Sequence, residues 1–312
     1  MKTLRKDFLA YRHWKLIYIA FIAMLYILFP QVKYLIKYLD GKYFSYYLVD
    51  LYTSLNTPEN WNEATPLPTT LSYDWAKPDR SGTIRIAHAL GAWQDDKRRN
   101  TIGALKESLT AGFNLVEVDL IPDKQMSLEC SHDLAEYSYN KSYLQYRERC
   151  DFDQLISLMR DHSFSLVVDL KSNFEKSATA LAARTPPELA SRIIFQLYEP
   201  QDIATYLDLR KQKPFAGPLL TLYRSRRSVF HMRPNIERLN IRVLTVPIER
   251  VKEFKSLKSS KLTLLTHPLS SCTEVARILR EGFEGGYMDS TLSDRSPRVS
   301  DCRPLIAPMT AE

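Results

Sequence analysis

The stretch Leu115-Val-Glu117-Val-Asp119-Leu-Ile-Pro122, with Ser131-His132-Asp133 a short way downstream, sets two carboxylates into an otherwise apolar run. Side chains two apart on a strand share a face, so Glu117 and Asp119 point the same way. An earlier apolar run, Ile84-Arg-Ile-Ala-His88, ends on a histidine, and a later one, Ser165-Leu-Val-Val-Asp169-Leu-Lys171, carries a third carboxylate and a lysine. Paired carboxylates with a histidine from each neighbouring segment describe a divalent cation flanked by two proton-transfer groups.

Working outward, apolar runs recur at 84–88, 115–120, 165–170, 193–197, 219–223, 243–246, 262–266 and 286–288. Amphipathic stretches lie between most of them. In 101–112, Ile102, Leu105 and Leu109 share one helical face and Gly112 stands as a stop. Further helices are expected over 152–162, 178–191, 202–210, 227–239, 251–256 and 273–283. Strands alternating with helices in this way predict a (β/α)8 barrel, an α/β fold, with a doubly wound open sheet as the competitor. The placement of polar residues separates the two. His88, Glu117, Asp119, Asp169, Lys171, Tyr223, His267 and Asp289 fall at or just past the C-terminal ends of different runs, and in a barrel those ends meet at one mouth.

The 312-residue chain carries a formal charge of +7, which resembles a nucleic-acid footprint until it is located. Residues 1–42 hold eight Lys/Arg against Asp7 and Asp40, so the remaining 270 residues carry only about +1. The excess charge belongs to the N-terminus, and no nucleic-acid partner is expected. No charge occurs from Leu16 through Gln31, and Lys15 and Lys33 are placed to snorkel. The sequence therefore predicts a single transmembrane helix over 16–38 behind a cytoplasmic stub, 1–15. Five basic residues before the apolar run place the rest of the chain on the exported side, periplasmic or extracellular. A cleaved signal peptide competes, but no small-x-small cleavage site follows. A partly helical connector over 39–81 that packs on or beside the main domain, a barrel over 82–295 and a tail over 296–312 complete the expected organisation.

Cys130, Cys150, Cys272 and Cys302 have no C-x-x-C spacing, which excludes the usual zinc and thioredoxin-like patterns. In an exported domain they allow two disulfides. Pairing Cys130 with Cys150 and Cys272 with Cys302 closes the shorter loops, while buried free thiols remain the alternative.

Taken in order, Ile-Ala-His88, Asn100-Thr101, Glu117-Val-Asp119, Ser131-His132-Asp133 and Val-Asp169-Leu-Lys171 resemble the glycerophosphodiester phosphodiesterases, over roughly residues 84 to 290. The resemblance implies a metal-dependent phosphoric diester hydrolase. Glu117, Asp119 and Asp169 would hold one divalent cation, Mg²⁺ or Ca²⁺. His88 and His132 would be the acid–base pair, in an order the sequence leaves open, and Lys171 would neutralise a phosphate oxygen. The substrate would be a glycerophosphodiester or a related lipid or envelope diester.

The chain also departs from the family pattern. Asp169 stands where Glu is usual. Ala89-Leu90-Gly91 replaces the Arg-Gly that follows the first histidine, and Arg98-Arg99 replaces Pro-Glu before Asn-Thr. A charge swap would make Arg98 or Arg99 the phosphate cation, at a helix start that already favours anions. The alternative is a catalytically silent barrel that binds a phosphorylated glycan or lipid head group. His267 and Asp289 are further candidates for substrate contact, and Tyr287 and Trp93 for stacking on an organic head group.

Overall fold

The computed structural model describes residues 61–288, apart from 80, 81, 92–98, 124, 144–148, 224 and 226. Its elements in chain order are β1 (Ile84–Ala87), α1 (Ile102–Thr110), β2 (Leu115–Pro122), β3 (Leu128–Cys130), α2 (Leu134–Tyr143) and α3 (Phe152–Asp161). β4 (Ser165–Leu170), α4 (Phe174–Arg184), α5 (Pro187–Ala190), β5 (Ile193–Leu197), α6 (Pro200–Gln212) and β6 (Leu219–Thr221) follow. The series ends with α7 (Val229–Arg238), β7 (Val243–Pro247), α8 (Val251–Phe254), β8 (Thr263–Leu269), α9 (Cys272–Arg280) and β9 (Gly285–Met288).

Eight strands, all but β3, run parallel, and the pairing of Ala87 with Val116 joins β1 to β2 and closes the ring. This is the expected (β/α)8 barrel, not an open sheet. Where β9 pairs with β1, Gly285 (φ 150°) lies so near the Ile84 carbonyl that a β-carbon there would collide with it.

β3 was not among the expected strands. β2 runs past its pairing with β4 and folds back through residues 123–127, so that Leu120 pairs with Cys130 in an antiparallel hairpin above the barrel. The expected helix over 178–191 begins earlier, at Phe174, where the Asn173 side chain accepts from the Lys176 amide, and it breaks at Pro186-Pro187 into α4 and α5. Cys130 and Cys150 are joined by a disulfide that brackets the segment holding His132 and α2. Cys272 is also disulfide-bonded, and no described cysteine is free.

Residues 61–79 pack against the N-terminal ends of the strands. The Leu67 amide donates to the Leu239 carbonyl, the Gly217 amide donates to the Ser72 carbonyl, and the Trp75 indole donates to the Gly217 carbonyl. Trp61, Leu67 and Leu71 join the main core, while Tyr73, Trp75 and Ala76 close the barrel floor against Ile84, Leu115, Leu219 and Val243. The irregular Tyr, Trp and Leu spacing of this segment is that of a plug fitted to a rim, with no period of its own.

The expected stub 1–15, transmembrane helix 16–38 and tail 296–312 lie outside the described residues, as do the connector up to residue 60, Trp93, Arg98, Asp289 and Cys302. Among the described residues no helix is long and apolar enough to cross a membrane.

Candidate active site

Glu117 and Asp119 point into the barrel from β2, and strand register sets Asp119 beside Asp169 of β4. All three are buried, and one oxygen from each lies within 4.8 Å of the others. Lys171, just past β4, reaches back over them, with Nζ 2.8 Å from Asp119 Oδ1 and 2.6 Å from Asp169 Oδ2. One ammonium against three carboxylates leaves the cluster short of positive charge. Burial and then Asp119 hold the Glu117 carboxyl well above its usual range. At Asp119 burial also acts upward, but Lys171 and Asn100 override it and bring the pKa down to about 2.

Asp169 tests whether a cation belongs here. Its Oδ2 accepts from Lys171, from Gln196 Nε2 at 2.9 Å and from the Tyr198 hydroxyl at 2.6 Å. Its Oδ1 is buried with no hydrogen-bond partner, an expensive state for a carboxylate oxygen unless something else coordinates it. An all-oxygen set of three carboxylates, one with a lone pair unused, fits a hard divalent cation.

His88 follows β1 on a tight turn. Ala89 (φ 48°), Leu90 (φ 65°) and Gly91 (φ 105°) are all left-handed, a conformation that costs a residue with a β-carbon about 1–2 kcal/mol. The strain has a visible return, because the turn aims the Ala89 amide at Glu117 Oε2, 2.6 Å away. Only glycine fits at 91, where a β-carbon would strike the Ser108 hydroxyl that donates to the Leu90 carbonyl. The Ala89 methyl is buried and lines no part of the cavity.

Asn100, also left-handed (φ 53°), joins this turn to the carboxylates. Its amide donates to the Ala89 carbonyl, its Nδ2 donates to Asp119 Oδ2 at 2.9 Å, and its Oδ1 accepts from the Asp119 amide. Nδ2 also lies 3.2 Å from Glu136 Oε1, while Glu136 Oε2 accepts from the His132 amide at 2.9 Å. The loop that bears His132 is thereby tied to the Asp119 carboxylate through Asn100. His132 is half-exposed on the return from β3, not at the end of a barrel strand, with Nδ1 3.3 Å from Asp133 Oδ2.

A cavity of about 270 Å³ opens at the mouth. The structure brings His88, Arg99, Glu117, Asp119, His132, Asp169, Lys171 and His267 together around it. Arg99 Nη2 stands 3.5 Å from His88 Nε2, so a guanidinium occupies the mouth although Ala89 does not supply one. His267 sits edge-on to His88, Tyr287 and Tyr223, with ring centroids 4.5, 4.9 and 5.4 Å away. Burial, reinforced by His88 and Lys171, keeps its imidazole well below the usual pKa. Tyr287, expected to stack on a head group, lines the cavity but offers it little surface. It is 2% exposed, beneath His267, with its hydroxyl 2.5 Å from Gln196 Oε1. Gln196, Tyr198, Thr221, Tyr223, Thr245 and Pro268 complete the lining. Gln196, Tyr198, Thr221, Thr245 and Glu136 are site residues that sequence reasoning missed. For Gln196, Thr221 and Thr245 the inward position on a strand was the available signal; Tyr198, just past β5, and Glu136, on α2, gave none.

No protein-family model matches the sequence, and no curated protein matches it. Solved structures do. A phosphodiesterase of Oleispira antarctica, in complex with the product sn-glycerol-3-phosphate, superposes with a TM-score of 0.52 at 14% identity, covering 71% of this chain and 96% of that one. Two glycerophosphodiester phosphodiesterases of Parabacteroides distasonis give TM-scores of 0.52 and 0.51 at 15% and 12% identity. They cover 68% and 75% of this chain, and 94% and 89% of theirs. At such identities the likeness is one of architecture, and this chain shares the barrel fold of the glycerophosphodiester phosphodiesterases.

Proposed function

We propose that the chain is a metal-dependent phosphodiesterase acting on a glycerophosphodiester or a related lipid or envelope diester. The observation that carries this reading is one cavity holding three buried carboxylates, an uncoordinated Asp169 oxygen, three imidazoles and two cationic side chains. Glu117, Asp119 and Asp169 would hold one Mg²⁺ or Ca²⁺, which as a Lewis acid polarises the phosphoryl oxygen. Lys171 and Arg99 orient the phosphate by charge from two sides of the mouth. His88 and His132 are the acid–base pair: one takes the proton of the attacking hydroxyl, and the other returns a proton to the departing alkoxide. Arg99 in the mouth supports the charge-swap reading and weakens the motive for a silent barrel. The apolar segment 16–38, with its preceding basic residues, supports an uncleaved anchor that exports the barrel.

The test is release of alcohol or phosphomonoester from a panel of diesters by the full chain in detergent, with Mg²⁺ or Ca²⁺ and with chelator. Chelator-sensitive release is expected. Release that persists in chelator, or none with any diester, would overturn the reading.

A further inference from the structure

Among the described residues the large hydrophobic side chains left exposed are Leu134, Tyr223 and Phe230, at 73%, 56% and 77%. Leu134 follows the return from β3, and Tyr223 and Phe230 lie past the mouth end of β6. Leu134 opens α2 two residues after His132, Tyr223 lies just past β6, and Phe230 is in the first turn of α7. A barrel helix runs back from the mouth, so its first turn stands on the rim. Exposed apolar residues scattered singly need no explanation, but here Tyr223 lines the charged cavity, Leu134 lies two residues from the lining residue His132 and Phe230 seven past Tyr223, while the opposite end is plugged and covered.

Size makes the rim informative. The cavity, about 270 Å³, falls below the roughly 300–1,000 Å³ of sites that enclose a drug-sized ligand. It accommodates a phosphodiester and a short alcohol, and anything attached beyond these must lie on the rim. That rim offers wholly apolar leucine and phenylalanine, which enter a membrane interface, and a tyrosine whose hydroxyl can stay at its polar side, from three different segments.

We propose that the mouth is an interfacial docking surface for a phospholipid layer. Leu134, Tyr223 and Phe230 enter its apolar edge, and the cavity takes the phosphodiester of a lipid that keeps its acyl chains. The proposal rests on the diesterase reading and narrows the substrate from a water-soluble, deacylated diester to an acylated one.

The experiment compares the full chain with Phe230→Ser and Leu134→Ser/Phe230→Ser variants in mixed detergent–phospholipid micelles. Each is assayed on a diacyl phospholipid and on the matching deacylated diester. The expected result is wild-type turnover of the diacyl lipid that falls at least tenfold in Phe230→Ser and further in the double variant, with turnover of the deacylated diester within twofold of wild type. A wild type active only on the deacylated diester overturns the proposal and leaves the diesterase reading intact. Variants that lower both activities alike, or neither, do the same. If wild type acts on neither substrate, the diesterase reading fails and docking is judged separately by Phe230→Trp. Quenching of the added fluorescence by brominated phospholipid in vesicles then supports docking, and unquenched fluorescence overturns it.

Discussion

The two ends of the same eight strands differ in kind. At the floor the inward positions are Ile84, Leu115, Val167, Ile194, Leu219, Val243 and Leu265, sealed by Tyr73 and Trp75. Towards the mouth the inward positions become Glu117, Asp119, Asp169, Gln196, Thr221, Thr245 and His267. The floor is an ordinary apolar core, whereas the mouth buries charge, holds three consecutive left-handed residues and leaves a carboxylate oxygen unpaired. Such costs are tolerated where the surrounding structure enforces them, and here the floor supplies that enforcement. Stability and chemistry are thus separated along the strand axis, as the barrel architecture allows.

The comparison can be broken most sharply at the mouth. His88→Ala and His132→Ala should each lower turnover by about 10²–10⁴ with little change in thermal midpoint, read by diester hydrolysis beside calorimetry. Next in size, Leu219→Ala at the floor should cost about 2–5 kcal/mol of stability in denaturant unfolding while turnover per folded molecule holds. Asn100→Ala probes the link between the ends of the network. Loss of its bonds to Asp119 and Glu136 should weaken divalent-cation affinity about 10–100-fold by titration calorimetry, with the fold retained. The smallest effect belongs to a site in neither region. Lys255→Met removes a surface pair with Glu281, 2.7 Å apart, and should leave both the unfolding midpoint and turnover close to wild type.

Much of this was legible in the sequence, for identifiable reasons. All eight barrel strands lie where apolar runs were expected, because buried parallel strands are continuous apolar stretches that end in polar residues at the mouth. β3 escaped because three residues, Leu128–Cys130, are too few to show a period, and α2 escaped because its Leu134–Tyr143 sequence is barely amphipathic. His132 consequently sits on a hairpin return and not on a strand end. The charged candidates stood out as anomalies in apolar runs. Gln196 and Tyr198 did not, since a neutral polar residue on a strand is unexceptional until the fold aims it at Asp169. The floor plug was legible only as a connector packed on or beside the barrel: residues 61–79 have no helix or strand beyond the single turn Trp61–Glu63, and only the finished rim gives their side chains a place.

The most direct measurement is diester turnover per folded molecule by wild type, His88→Ala and Leu219→Ala in parallel, each with Mg²⁺ or Ca²⁺ and with chelator. The account predicts chelator-sensitive turnover in wild type, its retention in Leu219→Ala and its collapse in His88→Ala. Turnover that survives both chelator and His88→Ala would contradict it.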